Sequence, residues 1–409
     1  MSTQMMMGGN YGDLPSADIN EYTFINSGSS WATTRQYRYC YMPVAGTFKN
    51  LTVLSSGDPA PGTYEVTLYN STTPTALTVT VNGAGEFTDS THEVSVSVGD
   101  NVVIVTNPDS TPTQVNIMFF LDFVPDVPNQ NVICGISSGN WMDNAGTYHY
   151  PLGAANSGAD VQWREMLIPC DGTLSLLFVA HWQNPLPAGA NKKAILYING
   201  SPTALVAELT EGVNTDQDTS NEVSVSAGDR IIMRYEGANN TQSARWFWSM
   251  VFVPDIVGEI PVIDGADDGT SGTEYHRYIV GTVDWTSTEA GTEEYRKDKY
   301  RLRSLYLDYY GSGTVDPGQT NVLTIRLDGA DTDLEITLTE GEGSGNNETD
   351  KVEASGNEKL TIKNVGGSWE RLRWGFVMIK GFDATFNGVR NPSKINGIIR
   401  ENVKVNGIT

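Results

Sequence analysis

Apolar and polar residues alternate along this chain in short runs. Tyr64-Glu65-Val66-Thr67-Leu68-Tyr69 alternates, as does the stretch 93–98, and each is bounded by turn-forming residues. Successive side chains of an extended strand point to opposite faces, so a period of two predicts strands with one buried and one solvated face. Gly99-Asp100 and Gly228-Asp229 mark turns between strands. Three runs break the alternation: 115–121, 246–253 and 374–379 are almost continuously apolar. A strand apolar on both faces is covered on both faces. Each run is therefore expected to be a central strand, with one face in its own core and the other against a loop or a neighbouring domain; a core strand alone is the favoured reading, and on the other Phe119, Trp246, Trp248, Trp374 and Phe376 are the contact residues. Long helical periodicity is hard to find. Strands recurring about every 8 to 12 residues predict an all-β sandwich.

The pattern repeats at a spacing close to 129 residues. Glu93-Val94-Ser95-Val96-Ser97-Val98-Gly99-Asp100 returns as Glu222-Val223-Ser224-Val225-Ser226-Ala227-Gly228-Asp229, and Phe123-Val124-Pro125-Asp126 returns as Phe252-Val253-Pro254-Asp255. A third, more diverged copy matches Leu205, Leu209-Thr210-Glu211 and Gly200 with Leu334, Leu338-Thr339-Glu340 and Gly329. It also matches Tyr148-His149 with Tyr275-His276, and Arg245-Trp246-Phe247-Trp248 with Arg373-Trp374-Gly375-Phe376. A repeat of this length is a whole domain. The expected organisation is an N-terminal arm (1–20), three domains (21–128, 129–258 and 259–383) and a C-terminal tail (384–409) without a counterpart in the repeat. Pro125, Pro128, Pro254 and Pro261 predict short, stiff, extended connectors, and about 20 residues are left between core copies.

Composition narrows the partners. The net charge is −23, which argues against nucleic acid as a ligand of the whole molecule. The tail is the exception: Arg390, Lys394, Arg400 and Lys404 stand against the single acid Glu401 and form a candidate attachment segment for an acidic surface. No secretion signal and no apolar stretch of membrane-spanning length is read, so no membrane partner is expected. Cys40, Cys134 and Cys170 are odd in number and do not recur at the repeat spacing, so buried free thiols are expected, in keeping with synthesis in a reducing cytoplasm.

Catalytic chemistry finds little support. The four histidines, His92, His149, His181 and His276, lack metal-ligand spacing, and no nucleophile elbow or phosphate-binding loop occurs. No cofactor, metal or catalytic residue is expected. Asp264, Asp267, Asp268 and Glu274, and separately Asp328, Asp331 and Asp333, form acidic segments of the kind that can hold calcium, but a solvated turn is the favoured reading of both.

The short strands, the recurring Val-Ser-Val-Ser-x-Gly-Asp turn and the final aromatic strand resemble a jelly roll of the tumour-necrosis-factor-like kind. With the acidic surface and tandem copies, the chain resembles virion structural proteins of tailed bacteriophages, over about residues 21 to 384. The resemblance implies three tandem jelly-roll domains. It also implies association in threes, as a homotrimer or as a pseudo-trimer within one chain. The implied role is capsid decoration or a head fibre at the virion surface, attached through the N-terminal arm or the basic C-terminal tail and in contact with capsid or tail proteins, with the protein made in the host cytoplasm. The alternative it implies is a tail-fibre-like adhesin that binds host-surface glycan.

Overall fold

The computed structural model describes residues 3–10, 15–26, 31–137, 147–149, 153–155, 165–182, 186, 188–238, 245–265, 272–276, 285–286, 294–296, 299–309, 313–356, 358–366, 372–380, 385–386, 389–390, 394–395 and 398–399. These are almost entirely strands and turns. A first group comprises β1 (Gln4–Asn10), β2 (Glu21–Thr23), β3 (Cys40–Tyr41), β4 (Gly46–Ser55), β5 (Thr63–Asn70), β6 (Thr73–Val81), β7 (Gly85–Val96), β8 (Asn101–Asp109) and β9 (Ile117–Pro125). A second comprises β10 (Asn131–Ser137), β11 (Thr147–His149), β12 (Gly153–Ala155), β13 (Met166–Leu167), β14 (Gly172–Trp182), β15 (Asn191–Ile198), β16 (Ser201–Leu209), β17 (Thr215–Val225), β18 (Arg230–Ala238) and β19 (Arg245–Pro254). A third comprises β20 (Glu259–Gly265), β21 (Gly272–His276), β22 (Trp285–Thr286), β23 (Glu294–Arg296), β24 (Tyr300–Tyr309), β25 (Thr320–Leu327), β26 (Ala330–Thr339), β27 (Ser344–Ala354), β28 (Glu358–Gly366) and β29 (Leu372–Lys380).

Each group forms two antiparallel-rich sheets with one strand order. The first sheets run β1-β9-β4-β7, β10-β19-β14-β17 and β20-β29-β24-β27, with β12 added beside β10. The second run β2-β8-β5-β6, β11-β18-β15-β16 and β21-β28-β25-β26; β3, β13 and β23 pair with β8, β18 and β28, and β22 extends the last sheet beside β21. The chain is thus an all-β protein with sandwich-like units. In the second unit Trp246 and Trp248 of one sheet meet Tyr235 of the other, with ring centroids 4.9 and 5.6 Å apart.

The first strand of each unit was not legible as one. Gln4–Asn10, expected as a loose arm, pairs with β9 from Gln4 opposite Phe123 to Asn10 opposite Ile117. Met6 is fully buried there. The connectors shrink for the same reason. Residues 126–130 link β9 to β10, and 255–258 link β19 to β20, because most of the expected linker is strand. Asn129, with φ of 70°, donates to the Pro254 carbonyl at 2.8 Å and accepts from the Gly258 amide at 2.9 Å, so one connector holds the other.

A β-bulge recurs in the third strand of each first sheet. It falls between Lys49 and Leu51, between Ser175 and Leu177, and between Arg303 and Leu305. Between the flanking pairs the third strand has one residue, Asn50, Leu176 or Ser304, against three in its neighbour, and all three have positive φ (55°, 54° and 54°). A bulge leaves one residue unpaired and bends its strand. Opposite each bulge sits Asp89, Asp218 or Asn347. Asp218 accepts the amides of Val206, Ser220 and Asn221 at 3.0–3.1 Å. Asp89 likewise accepts those of Thr78, Thr91 and His92, and Asn347 accepts that of Asp350. Burial works against the charged form of Asp89, but the bonds from His92, Thr91 and Thr78 outweigh it and hold the carboxyl down at about 2. Asp218→Ala leaves three amides without their acceptor and should cost about 2 kcal/mol in urea unfolding, whereas Asp218→Asn, the third unit's own choice, should cost less.

The register corrects the alignment of the third copy. Val53 lies opposite Phe119, Val179 opposite Trp248, and Leu307 opposite Trp374. Trp374 is therefore the counterpart of Trp248, two residues away from the match that the sequence suggested. The match of Tyr148 with Tyr275 stands: they face Arg234 and Lys363 at equivalent points of β18 and β28, and Tyr22 faces Val105 in the first unit.

Candidate functional surfaces at the seams between units

Phe119, Trp246, Trp248, Trp374 and Phe376 are buried, but they point into their own sandwiches. The period of two puts their neighbours, Phe120, Phe247, Val251, Arg373 and Gly375, on the outer face, and these make the contacts between units. A run apolar on both faces carries no parity signal to tell core from contact.

The first seam is aromatic. Tyr41 of β3 stacks on Phe178 at 5.7 Å and leans on Phe247 at 5.3 Å. Cys40 beside it meets Cys134 of the second unit; burial first and that thiol next push Cys40 well above its ordinary value. Cys170 is pushed up to about 12, chiefly by burial. All three cysteines are free and buried. Gln4 clamps the neighbouring first strand, donating to the Val132 carbonyl at 2.8 Å and accepting from its amide at 2.6 Å. Gln217 donates to the Pro43 carbonyl at 3.0 Å.

The second seam keeps the geometry and changes the chemistry. β13 takes the place of β3, and Leu167 stands where Tyr41 stood, each in the strand beside β8 or β18. Glu165 replaces Tyr39, Arg373 replaces Phe247, and Asp308 replaces Ala180, by the same registers. Arg373 is fully buried. It donates to Glu165 at 2.8 Å from one terminal nitrogen, and to Asp308 at 2.6 Å from the other and at 2.9 Å from Nε. Arg230, 40% exposed at the mouth, lies 4.0 Å from Glu165 and 3.8 Å from Asp308, beyond hydrogen-bond distance. Two cations and two carboxylates thus balance in the seam. Gly375 makes the approach feasible: a Cβ there would sit 2.8 Å from the Leu167 carbonyl oxygen. Asn131, the counterpart of Gln4, donates to the Glu259 carbonyl at 3.2 Å. The turn glycines pack alike, Gly99 toward Phe178 and Gly228 toward Tyr306. Above the ionic seam lies an open polar cleft of about 690 Å³, bounded by Arg230, Asn199, Tyr306 and Asn346.

The first and third units also touch. Lys380, the last residue of β29, donates to both oxygens of Asp122 at 2.8 and 2.9 Å. Beside them a small cavity of about 20 Å³ is lined by Gln4 and Met7, Val132 and Ile133, and Ile260 and Met378, that is, by the first strands of all three units and the last strand of the third.

His181 is buried against Trp246, 5.3 Å between rings, and neither ring nitrogen has a hydrogen-bond partner. Burial first and the Lys192 charge next lower its pKa to about 4. The unfolded chain therefore binds a proton that the folded chain refuses between about pH 6.5 and 4. Stability from this group is complete above that window and lost as pH falls through it, by up to about 3 kcal/mol. Urea midpoints measured across the window should fall with pH, and His181→Phe should flatten the slope.

The other sequence candidates disperse. Asp264 is buried in β20 opposite Trp374, and Glu274 lies in the other sheet opposite Asn364; Asp267 and Asp268 lie outside the described residues. Asp331 is held by Arg326 and Lys363, and Asp328 accepts the Lys359 amide at 2.9 Å, so these two carboxylates are engaged within their own sheet; Asp333 lies in β26. Among the described residues no group of three or more His, Cys, Asp or Glu could hold a metal ion, and no helix is long and apolar enough to cross a membrane. Arg390 and Lys394 fall in the two-residue strands Val389–Arg390 and Lys394–Ile395; Arg400 and Lys404 lie outside the described residues. No family model and no curated protein matches the chain.

Proposed function

We propose that the chain is a non-enzymatic structural protein of a tailed-bacteriophage virion, a capsid-surface decoration or head-fibre protein. In this reading each unit is a jelly roll, and the three close on one another as a pseudo-trimer within one chain. The observation that carries the reading is the repeated seam. β3 covers the outer face of the second unit and β13 that of the third, while Lys380 bonds to the first unit at Asp122. Head-to-tail contacts of one kind close into a ring when the rotation permits, and a cavity bordered by all three units supports such closure. The strand orders support the jelly roll, since the first strand lies beside the last in every first sheet.

Such a body spends its convergent side chains on holding its own parts together, which suits a load-bearing surface protein better than a catalyst. Its acidic exterior favours solubility at high copy number. The protein is made in the host cytoplasm and placed on the virion surface, with the tail as the attachment segment. The test is its stoichiometry in purified particles by quantitative gel. A copy number on the scale of the capsid lattice is expected. A copy number on the scale of a single tail, with binding on a glycan array, would favour a tail-fibre-like adhesin instead.

A further inference from the structure

We propose that the open cleft above the second seam binds a small neutral ligand with neighbouring hydroxyl groups, a saccharide, between the second and third units. The proposal does not rest on the virion reading. The cleft is made by substitution, and the registers show where. At four positions around the first seam, Tyr41, Val98, Thr215 and Gln217, the second seam carries a shorter side chain: Leu167, Ala227, Ser344 and Asn346. All four shorter residues line the cleft. In the first seam Gln217 reaches across to the Pro43 carbonyl, and the Tyr41 ring stacks on Phe178. Asn346, one methylene shorter than Gln217, instead donates to Glu348 of its own unit at 3.3 Å. The space left open is about 690 Å³. Small-molecule sites usually span about 300–1,000 Å³ and often lie between domains.

Polar groups are added where bulk is removed. Phe178, Ala180 and Asn101 of the first seam correspond to Tyr306, Asp308 and Arg230 of the second, and these three also line the cleft. The seam's own bonds do not use them up. Arg373 takes one oxygen of Asp308, and no described residue bonds to the other. The Arg230 guanidinium has no hydrogen-bond partner among the described residues and stands 3.8 Å from Asp308. Its backbone is fixed: the Asn199 side-chain oxygen accepts the Arg230 amide at 3.0 Å, while the Asn199 side-chain nitrogen donates to Asp229 at 2.7 Å. A donor and an acceptor thus stand side by side at the mouth. One hydroxyl of a diol can accept from Arg230 while the next donates to Asp308. The Ser344 hydroxyl, on the strand beside Asp308, offers a third contact. Charge selects against ions. Arg230 and Arg373 are matched by Glu165 and Asp308, and Asp229 also borders the cleft, so an anion would meet more acid than base. A cation would meet Arg230 at the mouth. A hydroxyl satisfies both kinds of group.

The test uses the full-length protein and saturation-transfer NMR. The probes are the methyl glycosides of glucose, galactose, mannose and N-acetylglucosamine, with glucuronic and galacturonic acids beside them. At least one neutral glycoside should bind with a Kd of about 1 mM, since water competes for every group in an open cleft. Two variants locate the site. Arg230→Ala removes the donor. Ala227→Val with Ser344→Thr and Asn346→Gln writes three residues of the first seam into the second. Each should weaken binding by about tenfold or more. Urea midpoints should stay near that of the unaltered protein, because Arg230 makes no hydrogen bond across the seam and Ser344 and Asn346 are exposed. No saturation transfer from any neutral glycoside overturns the proposal, as does tighter binding of the uronic acids. Binding that both variants leave unchanged puts the sugar elsewhere and overturns the site. Particle copy number is measured separately, so a failure here leaves the virion reading standing.

Discussion

Arg373→Ala should destabilise the chain by about 3–5 kcal/mol, because it leaves Glu165 and Asp308 facing each other in a seam built around a cation. Arg230 does not replace the lost partner, standing 3.8 to 4.0 Å away and partly in water. The loss should appear as a lower urea midpoint and as faster amide exchange in β13, β24 and β29. A buried ion network is often no more stable than a well-packed apolar substitute, and the molecule carries its own substitute one seam away. Rewriting the second seam in the residues of the first, as Arg373→Phe with Glu165→Tyr and Asp308→Ala, should recover most of the stability. If the triple variant is as unstable as Arg373→Ala, the two seams are not equivalent.

Trp248→Ala should cost about 3–5 kcal/mol by emptying the centre of the second sandwich. The neighbouring Gly135 gives a sharper version of the experiment. A Cβ at Gly135 would stand 2.6 Å from three atoms of the Trp248 ring, so Gly135→Ala should be strongly destabilising by itself. The first unit has Phe119 at the position of Trp248. Trp248→Phe should therefore be tolerated better than Trp248→Ala, and it should absorb much of the cost of Gly135→Ala. A double-mutant cycle in urea should show coupling of about 1 kcal/mol or more. Strict additivity would mean that the glycine is not retained for the indole.

What the sequence made legible follows from what repeats in it. The Ser-x-Gly-Asp turn was visible because its job fixes its residues: Gly99 and Gly228 have φ of 86° and 87°, and Asp100 and Asp229 accept the amides of Ser97 and Ser226. In the third unit Glu358 likewise accepts the Ser355 amide, but the longer acid hides the match. β1 was missed because Met5-Met6-Met7-Gly8-Gly9 has neither alternation nor β-branched residues; its pairing with β9 is imposed by tertiary contact. The seams were half legible. Doubly apolar strands announced that something covers them, while Arg373, a charge inside such a strand, read as a repeat marker and was the centre of the contact. The ion quartet brings residues 165, 230, 308 and 373 together, and no local spacing predicts it.

The central claim is that one chain supplies the three units that cover one another, and the mass of the free protein in solution tests it most directly. Sedimentation equilibrium at neutral pH should give 44.5 kDa, the mass of a single chain, across the accessible concentration range. A stable species of three times that mass would contradict the account, because the outer faces would then be satisfied between chains instead of within one.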